Sequence, residues 1–184
     1  MPVSPNDLHI GSKAHSFSLQ GVDGNVYSLR DYDDKDVLCI IFSCNHCPYV
    51  KAVEDRINNI AKKYSDSSFV LICINSNDDS VYPEDSFEEM KKRSAEKGFV
   101  FPYLKDDSQT TAMSYDAVCT PDIYLYDKER VLKYRGRIDD NWKDESAVKS
   151  KDLERAIDLL LAGKEIDFEM VPSMGCSIKW RPQS

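Results

Sequence analysis

At 184 residues and 41% apolar content, the chain can bury one sizeable core and is short for two. Its net charge of −8 lacks the basic footprint that nucleic-acid binding needs, and gives no attraction to anionic membrane surfaces. The opening residues Met1–Asp7 have neither the basic nor the apolar region of a signal peptide. No apolar run approaches the roughly 18 residues of a membrane span, so the expected location is cytoplasmic.

The segments Phe17–Leu19 and Val26–Ser28 flank Gly21-Val22-Asp23-Gly24-Asn25 and predict an N-terminal β-hairpin. Val37 to Ser43 is nearly continuous apolar sequence, the mark of a buried central strand. From Pro48 the apolar residues Val50, Val53, Ile57, Ile60, Ala61 and Tyr64 recur at helical spacing. Phe69–Asn75 predicts a second buried strand, so the unit is strand–helix–strand with a right-handed crossover. A polar loop over 76–85 follows, and Ser86 with Glu89 has the spacing of a helix cap. A short strand over 99–104 and a short helix over 108–115 come next. Ile123–Tyr126 and Val131–Tyr134 predict a hairpin, and a last helix runs from Lys151 to Ala162, with Gly163 past its end. The order implies an α/β chain: a single domain over 1–184 with a mixed central sheet, helices on both faces and an aperiodic tail over about 171–184.

Six cysteines sort by context. Cys39 and Cys73 lie inside strands and read as small buried apolar residues. Cys44 and Cys47 bracket Asn45-His46 where the first central strand gives way to a helix. Helix N-termini present unpaired N–H groups and a positive dipole end, and both favour a thiolate, the reactive form of cysteine. A zinc site would need a second ligand pair at short spacing, and only a makeshift set of Cys44, Cys47, Cys119 and Cys176 offers one. As a staple the tight pair is weak. Chain entropy assigns a loop of about four residues roughly 2 kcal/mol, against roughly 4.5 for a Cys44–Cys119 loop of about 76 residues. The pair is therefore expected to be a redox-active disulfide with no metal and no further cofactor. Because Cys44 precedes the helix, it is assigned the attacking role and Cys47 the resolving one. The dipole contributes roughly 0.3–2 kcal/mol, less than the roughly 2.7 kcal/mol that a two-unit depression requires, so His46 is assigned a supporting role. A second cluster, Val118-Cys119-Thr120-Pro121-Asp122, stands just before the later hairpin.

A strand ending in Cys-x-x-Cys, a helix behind it and Thr120-Pro121 leading into a hairpin resemble the thioredoxin fold. Cys44–Lys51, Val118–Asp122, Arg135-Gly136-Arg137-Ile138-Asp139-Asp140 and Pro172-Ser173-Met174-Gly175-Cys176-Ser177-Ile178-Lys179-Trp180 are similar to the peroxiredoxin-like branch of the redoxin (alkyl hydroperoxide reductase/thiol-specific antioxidant) families. The resemblance implies that Thr120-Pro121 is a cis-proline loop whose Thr120 backbone receives a substrate strand. It also implies that Cys119 and Cys176 are candidate additional resolving thiols. Two positions depart from the family pattern: Cys44 stands where ordinary peroxiredoxins carry threonine, and Leu38 stands where thioredoxin has a buried carboxylate.

Three readings follow. The first is a thiol–disulfide oxidoreductase cycling Cys44 and Cys47, with a protein or small-molecule disulfide or thiol as substrate and an external thiol reductant. The second is a thiol-dependent, antioxidant peroxidase in which Cys47 attacks peroxide. The third is a binding module with a vestigial redox site. The resemblance is also compatible with a homodimer.

Overall fold

The computed structural model describes residues 1–182. Its elements are β1 (Ser18–Gly21), β2 (Val26–Ser28), β3 (Val37–Phe42), α1 (Pro48–Lys63), β4 (Phe69–Asn75), α2 (Phe87–Lys97) and β5 (Tyr103–Lys105). They continue with α3 (Thr110–Ser114), β6 (Cys119–Thr120), β7 (Asp122–Tyr126), β8 (Leu132–Arg135), α4 (Asp152–Leu161) and β9 (Cys176–Ser177). Seven strands form one sheet in the order β2-β1-β5-β4-β3-β7-β8, while β6 and β9 pair separately. The pairs β3–β4 and β4–β5 are parallel, and β1–β2, β1–β5, β3–β7 and β7–β8 are antiparallel. The mixed sheet and the N-terminal hairpin are as expected.

Side chains alternate across β3, so its apolar run serves two cores. Val37, Cys39 and Ile41 face one layer, packed with Val53 and Ile57 of α1 and Leu153 and Ile157 of α4. Leu38, Ile40 and Phe42 face the other layer, with Ala112 of α3, Tyr115 and Tyr124. Cys39 and Cys73 are core residues, and Leu38 is fully buried in apolar surroundings. No helix among the described residues is long and apolar enough to cross a membrane.

Two expectations shift. The strand sought over 99–104 forms only at Tyr103–Lys105, because Pro102 has no N–H to give a ladder and instead accepts the Cys73 N–H at 3.0 Å. Upstream, Phe99 and Phe101 stack on each other at 4.6 Å. The tail, aperiodic in sequence, contributes β9, which runs antiparallel to β6 with Thr120 opposite Cys176. Two residues are too short a run for periodicity to reveal.

Just beyond β6, Asp122 opens β7 and pairs with Arg135 of β8. Arg135 Nη2 and Nε lie 2.8 and 3.1 Å from the two carboxylate oxygens, and both side chains are essentially inaccessible to water. The guanidinium also sits over the Tyr124 ring and donates to the Asp116 carbonyl at 2.9 Å. Asp122 in turn accepts the Val118 N–H at 3.0 Å, fixing both ends of the Cys119–Pro121 segment. Removing one partner strands a buried charge, so Arg135→Ala should lower the unfolding free energy by about 3–5 kcal/mol in urea titrations.

Candidate active site

The site lies where β3 ends, α1 begins and the Cys119–Pro121 segment crosses them. Pro48 occupies the first position of α1, where a missing N–H costs nothing, and Cys47 is the N-cap. The Thr120–Pro121 peptide is cis. Cys47 Sγ lies 3.2 Å from the Thr120 carbonyl oxygen and 2.8 Å from Cys176 Sγ. Cys44 Sγ lies 3.2 Å from Thr120 Oγ1. Cys44, Cys47 and Val50 form a small apolar cluster against which Tyr49 and Cys176 pack.

The electrostatics of the two thiols are opposite. Cys47 is lowered to about 4, chiefly because the Cys44 thiol donates to its sulfur. Burial opposes that shift, and the Cys176 thiol and the Val50 and Cys176 amides reinforce it. Cys44 is raised well above an ordinary thiol, by burial first, then by its role as donor to Cys47 and by the Asp85 carboxylate. Cys176 is raised to about 11 by burial and by donating to Cys47. The sequence reading gives the attacking role to Cys44 and the resolving role to Cys47, whereas these shifts favour the thiolate at Cys47. Cys47 holds the cap position of α1, with the Cys44 and Cys176 thiols beside it, and both lower its pKa.

His46 turns away from Cys47. Its Nδ1 is 2.5 Å from Asp85 Oδ2, and its ring stacks on Tyr82 with centroids 4.3 Å apart. Asp85 is wholly buried. It also accepts the Asn45 N–H at 2.6 Å and Asn77 Nδ2 at 2.9 Å. Burial pushes Asp85 up, but these hydrogen bonds outweigh it and leave the carboxyl below its usual range. Asn45 is held a second time, donating to the Glu84 carbonyl at 2.7 Å and accepting from Tyr103 at 2.9 Å. Both residues between the cysteines are thus tied to the turn before α2.

Asp85 is the functional residue that sequence reasoning missed. It lies at the end of a polar, acidic loop that reads as solvated, and only tertiary folding brings it to Cys44. The sole hint was the polar pair Asn45-His46 beside a buried strand, which needed partners from somewhere. Cys44 Sγ, a His46 ring nitrogen and an Asp85 oxygen lie within 4.8 Å of one another, so these three could present a metal with donors. The Asp85–His46 pair already accounts for two of them. Cys119 is fully buried, with Sγ 3.5 Å from the Pro121 carbonyl and no second sulfur in hydrogen-bonding range. The makeshift four-cysteine set therefore does not converge.

A dithiol at the end of a central strand, capped by a helix and crossed by a cis-proline segment, defines a thioredoxin-like site. The chain belongs to the AhpC/TSA family, whose sequence model matches residues 10–135. A conserved protein of Geobacillus kaustophilus is 41% identical, with 100% of this chain and 98% of that one covered and a TM-score of 0.95. A protein of Sinorhizobium meliloti 1021 is 37% identical over 98% of this chain and 99% of that one, with a TM-score of 0.93. The thioredoxin domain of a thiol-disulfide oxidoreductase from Bacteroides vulgatus, at 21% identity, covers 70% of this chain and 89% of its own, with a TM-score of 0.60, and shares the fold. No curated protein matched the chain.

Three labelling measurements test these shifts. With Cys47 at about 4, iodoacetamide labelling of that residue should stay flat from pH 6 to 9 and fall only as pH approaches its titration. Cys44→Ser removes the strongest stabilising donor thiol, so the labelling midpoint should move to higher pH. Asp85→Asn removes a negative charge beside Cys44, so labelling of Cys44 should begin at lower pH than in the parent protein.

Proposed function

We propose that the protein is a thiol–disulfide oxidoreductase that cycles Cys44 and Cys47 between dithiol and disulfide, with Cys47 as the attacking thiol. The observation that carries this reading is the Cys47 sulfur at the α1 cap, packed in one cluster with Cys44, whose thiol can close on it, and the lowering of Cys47 to about 4 agrees with it. The thiolate attacks one sulfur of a disulfide and expels the other as a thiolate, leaving a mixed disulfide on Cys47. Cys44 then loses its proton to the departing thiolate and attacks Cys47, releasing the second half of the substrate. The protein loses two electrons and the Cys44 proton, solvent supplies the second proton, and one disulfide becomes two thiols. An external thiol reductant reverses the step. Thr120 steadies Cys44 through its hydroxyl, and its carbonyl accepts the Cys47 proton in the thiol form. The Asp85–His46 pair acts by holding the dipeptide spacer and by keeping Cys44 protonated until Cys47 has reacted.

A second reading, a peroxidase using Cys47, is favoured by one feature. Cys47 is followed by Pro48 at the first position of α1, where the peroxiredoxin pattern places its attacking cysteine. There the thiolate would take one peroxide oxygen to give a sulfenic acid and release an alcohol or water. Attack by Cys44 or Cys176 would then form a disulfide and water.

With 2-hydroxyethyl disulfide and a dithiol reductant, the parent protein should turn over and Cys47→Ser should not. Cys44→Ser should stall as a mixed disulfide on Cys47, visible as a mass increase. Hydrogen peroxide consumption retained in Cys44→Ser and lost in Cys47→Ser, without disulfide turnover in the parent, would select the peroxidase reading instead.

A further inference from the structure

The backbone edge at Thr120 is not free. β6 is paired along its length by β9, with Cys119 opposite Ser177 and Thr120 opposite Cys176, and the Ile178 N–H continues to the Val118 carbonyl at 3.3 Å. The approach is close at residue 175: a Cβ there would fall 2.0 Å from the Thr120 carbonyl oxygen, so only glycine fits. On its far side Gly175 exchanges backbone hydrogen bonds with Val3, at 2.9 and 3.0 Å.

The covering strand is also pinned at both ends. Downstream, Ile178 is buried in the core, and the Lys179 carbonyl accepts the Asp78 N–H at 2.8 Å and Gln109 Nε2 at 2.9 Å. The Lys179 and Arg181 amides return hydrogen bonds to the side chains of Asn77 and Gln109, both at 2.9 Å. Upstream, the Val171 carbonyl accepts the Arg137 N–H at 2.9 Å. Extended polypeptides dock by adding a strand to open backbone groups. Here those groups are already taken by the chain itself, and Cys44 and Cys47 are 2% and 0% exposed beneath them.

Beside this cover runs a cavity of about 430 Å³, a volume that suits a small molecule. Its wall includes Tyr49, Pro121, Trp142 and Met174. Tyr49 follows Cys47 by two residues and packs on Trp142 with ring centroids 4.2 Å apart. The cavity brings aromatic surface, with Arg137, Asp139 and Asp140, to the start of α1 and the Pro121 loop; Cys44 and Cys47 lie behind its wall, two residues from Tyr49 on the Cys47 side.

We infer that the site takes low-molecular-weight disulfides bearing an apolar or aromatic group, seated against Tyr49 and Trp142, and that the Gly175–Ser177 strand excludes polypeptide disulfides. The inference rests on the exchange reaction proposed above and adds its substrate class. The chemistry is unchanged: Cys47 displaces one small thiolate, Cys44 displaces the second, and two small thiols leave.

The test uses the reduced full-length protein in single turnover, quenched by alkylation and read by mass as loss of the Cys44 and Cys47 thiols. Dibenzyl disulfide and 2-hydroxyethyl disulfide are compared with a cystine-bridged peptide. Burying one aromatic ring predicts oxidation about tenfold or more faster by the dibenzyl compound than by the peptide. Trp142→Ala should slow the dibenzyl reaction at least about fivefold more than the hydroxyethyl reaction. Gly175→Val, checked for folding by its urea midpoint, should raise the peptide rate by displacing the cover. Should that variant fail to fold, the parent and Trp142→Ala comparisons still decide. Equal rates for peptide and dibenzyl disulfide in the parent, or a Trp142→Ala loss shared equally by both small compounds, would overturn the inference and leave the exchange reaction standing. No oxidation by any disulfide, with Cys47 still alkylated at neutral pH, would overturn the exchange reaction itself.

Discussion

Three sulfur atoms meeting at one helix cap are the constraint on which the rest of this structure turns. In a site shut off from water, a thiolate at Cys47 requires other groups to replace the lost hydration. Cys44 and Cys176 do so as donors, and the first amides of α1 assist. Those donors arrive from three separated parts of the chain: the end of β3, the start of α1 and the tail strand β9. The sheet sets the first, the helix the second and the pairing of β9 with β6 the third.

The opposite shifts of the two cysteines follow from where each sulfur stands relative to charge. Cys44 shares its surroundings with a buried carboxylate and has no amide aimed at it, so its proton stays until a new partner appears. Cys47 has donors on several sides. The two members of the dithiol therefore differ in acidity. The dipole of α1 alone, worth at most about 2 kcal/mol, is too small for this separation, and the neighbouring thiols supply the rest.

Much of the framework was legible in the sequence because periodicity and punctuation are local. The continuous apolar run at Val37–Phe42, the 3.6-residue rhythm after Pro48 and the turn residues around Gly24 each announce their element without knowledge of the fold. The dithiol was legible too, since its spacing and its place at a strand–helix junction are chain properties. The difference in acidity between its two thiols was not. The helix begins at Pro48 as its spacing announces, but the acidity of each thiol depends on which donors tertiary folding brings to its sulfur. Asp85 was hidden for a related reason, as its burial comes from the Asn45, His46 and Asn77 side of the fold. The strand β9 escaped notice because two residues carry no rhythm, and its meaning comes only from what lies opposite.

The spacer between the cysteines is no passive tether. Asn45 and His46 reach across to a turn some forty positions further along the chain, where a backbone carbonyl and a carboxylate receive them. In thiol exchangers the dipeptide at this place is an obvious target for retuning. Here such an exchange would also loosen the join between the first helix and the second. Any engineer who grafts a spacer from a different protein into this scaffold would have to carry the matching turn along with it.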